Sequence, residues 1–204
     1  MYTPDHFSLD DSRALRAVIT ENPFAAMITP GPESLEISHL PLLFVMQDVG
    51  LGCLQGHLAR ANPHWRSFAS GGPTSVVFQG PHAYVSPSWY RSTPAVPTWN
   101  YVAVHAHGRP TPVEDRKRVQ AMLEAQVDHF EAALTDPWRL GNAEDFVKRM
   151  IDGIVAFEMP IERLEGKIKL SQNRSAEDRF GVIAALRAGG DNALAEAMET
   201  MTED

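Results

Sequence analysis

Residues 56–65, Gly-His-Leu-Ala-Arg-Ala-Asn-Pro-His-Trp, carry the parts of an anion site. Asn62 followed by Pro63 reads as the N-cap and first residue of a helix, and the N–H groups freed at a helix start favour negative charge. Arg60 stands beside them with a guanidinium whose fork suits phosphate oxygens, and His57 ends the preceding strand. An ordinary capped helix with a surface arginine has the same spacing. Two further segments, Phe78–Tyr90 and Val96–Tyr101, gather Trp, Tyr, Asn, Gln and Ser. A planar heterocycle needs such a set: rings to cover its faces, donors and acceptors to fix its edge. Gln79, Ser86, Trp89, Trp99 and Asn100 are the candidates. Prolines on both sides stiffen the intervening loop, which lowers the ordering cost of binding. A stiff aromatic loop closing a barrel end or a subunit interface shares these features.

The last chemistry-bearing run is Glu165-Gly-Lys-Ile-Lys-Leu-Ser-Gln-Asn-Arg174. Lys167 and Lys169 fall on one strand face, and a polar turn with Gln172 and Arg174 follows; the chain has only these two lysines besides Lys117 and Lys148. A solvated strand end would account for them too. His105 and His107 also share a strand face and, with His57 or His82, could bind zinc or copper. No carboxylate or cysteine stands near them in sequence, so structural or ligand-edge histidines are the reading adopted, and no metal is assigned. P-loop, dinucleotide and Ser-His-Asp patterns are missing, which removes the usual grounds for a nucleotide hydrolase, a dinucleotide enzyme or a serine hydrolase.

Charge distribution ties these segments together. Of 204 residues 26 are acidic, yet none lies between Val49 and Val113, where about 8 would fall at the chain's average density. Four arginines and five histidines remain in that window, and six of the 17 aromatic residues lie between Phe78 and Tyr101. Such a window suits an anionic, ring-bearing ligand; buried strands also exclude carboxylates. A net charge of −8 argues against a generic nucleic-acid binder. Cys53 is the single cysteine, so there is no internal disulfide or multi-cysteine zinc site, and a buried small hydrophobe is the expected role. No apolar run reaches the roughly 18 residues of a membrane span, and the N-terminal segment lacks a signal-peptide pattern, so a cytoplasmic location is expected.

The elements that must position these residues are mostly short strands. Residues 11–21 predict a helix capped by Asp10 or Asp11 and stopped at Asn22-Pro23. Strands are predicted at Phe24–Thr29, Leu35–His39, Leu42–Gln47, Leu51–Leu58, Ser75–Gln79, Ala83–Ser86, Trp99–Ala106, Ile154–Leu164 and Lys167–Leu170. A helix from Asn62 carries Trp65 and Phe68 and ends at Gly71-Gly72. Further helices are predicted at Asp115–Leu134, Ala143–Asp152, Ala176–Arg187 and Ala193–Met201. Short strands in even succession favour a mainly β, α+β antiparallel barrel over a Rossmann sheet.

GHLARANPHW, FQGPHAYVSPSWY, VPTWNYVAVHAHG and EGKIKLSQNR, in this order and after MYTPDHF, ENPFAAMIT and SHLPLLF, resemble the PaiB family of FMN-binding negative transcriptional regulators. The resemblance runs from Met1 to about Met198. It implies an antiparallel FMN-binding split β-barrel, the fold of pyridoxamine phosphate oxidases and flavin reductases, with peripheral and C-terminal helices. The expected organisation is a split-barrel domain over residues 1–175, with inserted helices at about 115–152, and a helical extension over 176–204. It also implies a homodimer with FMN at the subunit interface. Ser38 and His39 would then lie along the flavin, His57 and Arg60 would face its phosphate, and Asn62 would position the helix start. Gln79, Ser86, Trp89, Trp99 and Asn100 would come from the aromatic segments, with Lys167, Lys169, Gln172 and Arg174 closing the site. Direct DNA binding draws little support from charge, since Lys167–Arg179 holds four basic residues against two acids after the turn, Glu177 and Asp178. An FMN-dependent oxidoreductase and a haem-binding split-barrel protein, with His82, His105 or His107 as ligand, are the alternatives.

Overall fold

The structure, a computed structural model, describes residues 1–70 and 72–203. After a 3-10 turn at Asp5–Phe7, the elements are β1 (Ser8–Leu9), α1 (Ser12–Glu21), β2 (Phe24–Pro30), β3 (Leu35–Pro41), β4 (Leu43–Val45) and β5 (Cys53–Ala59). A 3-10 segment, Pro63–Ser70, precedes β6 (Thr74–Val85), and the turn Pro87–Trp89 leads toward β7 (Thr98–Gly108) and β8 (Thr111–Pro112). Then come α2 (Arg116–Glu131), α3 (Glu144–Met150), β9 (Ile154–Lys169), α4 (Ala176–Gly189) and α5 (Asn192–Glu203). The hydrogen-bonded order is β3-β2-β6-β7-β9-β5-β4, with β1 and β8 both on β9, and this path does not close on itself. β2 with β3 and β6, β5 with β4 and β9, and β1 and β8 with β9 all pair antiparallel, as the sequence predicts.

Glycine decides two places where two predicted strands are one. At Gly80 a Cβ would stand 3.1 Å from Val102 Cβ, so the bare backbone lets β6 continue across β7. The inward–outward alternation slips by one residue there: Gln79, His82 and Tyr84 are the exposed positions, as an inserted bulge residue would produce. At Gly166 a Cβ would meet Leu15 Cδ2 at 2.3 Å and Leu9 Cβ at 2.8 Å, so β9 runs through it beneath the N-terminal segment. The predicted helix at Asn62 is instead a 3-10 segment. Gly71, at its predicted end, lies outside the described residues.

The Cα positions divide the chain into two units, and β6, β7 and β9 contribute residues to each. The first holds Met1–Asn22, Gln79–His105 and Glu165–Asp204; the second holds Pro23–Phe78 and Ala106–Leu164. In the first unit α4 and α5 bury Val182, Leu186, Leu194 and Met198 against Val85, Val102 and Leu170. Each element there has a local reason. Asp11 caps α1 by accepting the Arg13 N–H, Ser175 caps α4 by accepting the Asp178 N–H, and Gly190 ends α4 at φ 89°. In the second unit Leu54, Phe157, Met159 and Phe78 are fully buried, and Phe68 meets Phe157 edge to face at 5.2 Å. Asp115 caps α2, which lays Val119 and Met122 on Ile151 and Ala156.

Candidate functional site

The candidate residues fall into one group in each unit. In the second unit, β3 presents His39 outward, stacked on Phe24 at 6.3 Å, and turns Ser38 inward. Ser38 is 8% exposed and its hydroxyl is used internally: Asn62 Nδ2 donates to it at 3.1 Å and His64 Nδ1 lies 2.8 Å away. His64 Nε2 reaches Thr29 Oγ1 at 2.8 Å, and Thr29 reaches Thr74 Oγ1 at 2.8 Å. Asn62 Oδ1 accepts the His64 N–H at 3.0 Å, so one of the amides that would face an anion already has a partner. His64 is 1% exposed, and burial pushes its pKa below the ordinary histidine value, with Glu36 opposing the shift. The sequence reading missed His64, because no spacing marks a histidine after a capping Asn-Pro as the centre of a buried network.

Arg60 is held by backbone. Its Nε donates to the Asp152 carbonyl and its Nη2 to the Ile154 carbonyl, each at 2.7 Å, while its own carbonyl accepts the Trp65 indole N–H at 3.0 Å. Nη1 is the remaining nitrogen for a ligand. A cleft of about 420 Å³ opens beside it, lined also by Trp65, Arg116 and Ile154. His57 sits beneath the inserted helices and lines an apolar cleft of about 270 Å³ with Trp138, Phe146 and Met150. Burial lowers its pKa as well, and a contact from Gln126 partly offsets this.

In the first unit an open face of sheet carries rings and amines. Trp99 is 54% exposed and meets Tyr84 edge to face at 6.1 Å. Two residues along β7 from Trp99, the Tyr101 ring lies 5.4 Å from Lys167 Nζ, which also donates to the Tyr2 carbonyl at 3.0 Å. Lys169 donates to Thr98 Oγ1, and burial lowers its pKa; Tyr101 opposes that shift, while Lys167 adds to it by like-charge repulsion. Glu165, on the same side of β9, takes the Met1 amino group at 2.9 Å. On β6 the exposed Gln79 sets its Nε2 3.2 Å from His82 Nδ1.

Other candidates of this unit face the helices instead. Asn100 is fully buried; its Nδ2 donates to Ser171 Oγ at 3.0 Å, and Ser171 Oγ returns a 3.3 Å bond to its Oδ1. Arg174 lies 4.4 Å over the Tyr90 ring. Gln172 closes the turn after β9, accepting the Leu170 N–H and donating to the Ile168 carbonyl. Ser86 caps the turn that bears Trp89, accepting the Ser88 N–H at 3.2 Å. Strand alternation separates the two sets: Trp99 and Tyr101 point to the open face, and Asn100 points away from it.

The chemistry of the open face fits a flavin nucleotide. The partly buried Lys169 ammonium, with Lys167 buried at 8% exposure against Tyr2, and the exposed Trp99 and Tyr84 rings match an anionic ligand with a planar heterocycle. The fold is the flavin-binding split barrel. Residues of this chain superpose on the FAD- and haem-binding protein from Mycobacterium smegmatis with a TM-score of 0.60 at 15% identity, covering 85% of this chain and 78% of that one. The flavocytochrome Anf3 from Azotobacter vinelandii gives a TM-score of 0.60 at 12% identity, covering 84% and 74%. The family described as "Putative FMN-binding domain" matches residues 1–163, and the chain belongs to it. Within that family it is of the PaiB type: it is 34% identical over 206 residues to the Bacillus subtilis protease synthase and sporulation protein PAI 2, covering 100% of this chain and 97% of the relative. An uncharacterised protein of Aspergillus fumigatus is 32% identical over 219 residues, covering 83% of this chain and 84% of its own. FMN is the cofactor of this family. Among the described residues no helix is long and apolar enough to cross a membrane.

Proposed function

We propose that this FMN-binding, PaiB-type protein acts as a homodimeric regulator that senses flavin or redox state. The observation that carries the reading is the open face of the first unit, where Trp99, Tyr84 and Tyr101 lie with Lys167 and Lys169. There the exposed rings cover the isoalloxazine, and Lys169, with the buried Lys167 behind it, supplies positive charge to the anionic cofactor. In the second unit, taken by itself, His39, His57 and Arg60 are the candidates for anion contacts, with Ser38 and Asn62 holding the turn beside them. Bound FMN supplies the redox chemistry; the protein binds it, orients it and limits its access to water.

Exposed apolar side chains support self-association. Trp99 and Tyr84 in the first unit, and Phe24, Leu35 and Ile37 in the second, are each between 45% and 67% exposed. The regulatory part of the proposal rests on the Bacillus subtilis relative, whose name joins protease synthesis to sporulation. With a net charge of −8, a route through a protein partner is favoured over direct operator binding.

Sedimentation of the FMN-loaded protein, with oxidised and with reduced flavin, tests this function. A dimer whose association with itself or a captured partner changes on reduction supports a sensor. A monomer indifferent to redox state contradicts one. Duplex DNA at low salt supplies the second arm, and tight, salt-dependent binding there would replace the indirect route with a direct one. Rapid flavin reduction by NADH or NADPH with turnover would favour an oxidoreductase instead.

A further inference from the structure

The loop that carries Trp89 and leads to Trp99 is seated on α4, and the seat has two parts one helical turn apart. Asp178 is 1% exposed and belongs to the first turn of α4. Its Oδ1 accepts the N–H of Arg91 at 2.7 Å and the N–H of Ser92 at 2.9 Å, while its Oδ2 accepts the Ser92 hydroxyl. A buried carboxylate thereby satisfies two consecutive loop amides that would otherwise be costly to leave unpaired. Three residues further along α4, Gly181 passes directly under the loop. A Cβ there would stand 2.2 Å from the Trp89 carbonyl oxygen, closer than any real contact allows. Positions i and i+3 share a helix face, so one face of α4 grips the loop at Trp89 and again at Arg91–Ser92. Arg174, in the turn before α4, adds its guanidinium over the Tyr90 ring at 4.4 Å.

We infer that Asp178 and Gly181 are positioning residues for the flavin-ring contact at Trp99, fixing the Ser86–Pro97 loop, whose Trp89 packs on the α4–α5 core, so that the chain enters β7 with Trp99 held ready to meet the ring. Both lie beyond residue 163, where the family match ends, so the C-terminal helices complete the binding domain rather than merely follow it. The inference about ligand rests on the flavin reading above; the seat itself does not.

The experiment uses the full chain and two readouts. The first is trypsin cleavage at the Arg91–Ser92 bond, followed by mass spectrometry without ligand. The second is titration with FMN and with riboflavin. Asp178→Ala and Gly181→Ala should each speed cleavage about tenfold and weaken both flavins by a similar factor, since the loop serves the ring and not the phosphate. Asp178→Asn should restore much of both, because its amide oxygen still accepts the two backbone N–H groups. Ser92→Ala removes one contact and leaves the other two; it serves as the mild variant should Asp178→Ala not fold. Unchanged cleavage in Gly181→Ala and Ser92→Ala overturns the seat. Faster cleavage with unchanged flavin affinity overturns the positioning role. A wild-type protein that binds neither flavin contradicts the flavin reading, and the cleavage arm still decides whether the seat exists.

Discussion

His64 Nδ1 lies 2.8 Å from Ser38 Oγ, so a histidine buried to 1% exposure ties the inner side of β3 to the turn after β5. Its other ring nitrogen reaches Thr29, and through it Thr74. The imidazole joins three hydroxyls that would otherwise be buried without a shared partner. His64→Ala should therefore destabilise the protein by about 1–3 kcal/mol, the cost of leaving buried polar groups unsatisfied. Urea unfolding measures it, and a loss near zero would mean that water replaces the ring.

Stability should also fall with acid in a defined window. Burial lowers the pKa of both His57 and His64 below the ordinary histidine value in the folded state. The folded chain then binds fewer protons than the unfolded chain as the pH drops below about 6.5. Their contribution is complete above that pH and is lost as the pH falls through the lowered folded values. Unfolding midpoints at pH 7.5, 6.5 and 5.5 should decline in that order, and His64→Ala should flatten the decline. A pH-independent midpoint would show that neither ring resists protonation.

Arg60 separates a phosphate contact from a structural one. Two of its nitrogens hold the Asp152 and Ile154 carbonyls, so Arg60→Ala should lower stability whatever binds nearby. If Nη1 also meets the cofactor phosphate, FMN should lose about 1.5–3 kcal/mol of affinity and riboflavin much less. Equal losses for both ligands would assign Arg60 to holding the chain alone.

Trp99 tests the open face. Its indole is 54% exposed beside Tyr84, a large apolar surface that a flavin ring would cover. Trp99→Ala should weaken FMN and riboflavin alike, by about 1–2 kcal/mol, with little change in the unfolding midpoint. Unchanged affinity for both would place the ring elsewhere.

Much of this fold is legible in the sequence because period-2 alternation survives in β2, β3 and β7, and because Asp11, Asp115 and Ser175 stand where helix caps belong. Two breaks are misread for one reason. Gly80 and Gly166 look like turn residues, yet each is a point where a strand passes close to Val102 or to Leu9 and Leu15. The candidate site is legible as a set of residue types and not as an arrangement. Local pattern cannot show that Asn100 bonds Ser171 across 71 positions, or that the Arg60 fork is taken up by carbonyls 92 and 94 positions away. Asp178 is the extreme case: a first-turn acid reads as a helix-dipole residue, and its partners lie 86 and 87 positions earlier.

Titration of the purified protein with FMN and riboflavin, followed by flavin fluorescence, tests the central claim most directly. Saturation at about one flavin per subunit, with FMN bound at least tenfold more tightly, is the predicted result, since a charge-assisted phosphate contact contributes that much. Failure to bind either flavin would contradict it and leave a split barrel without its cofactor.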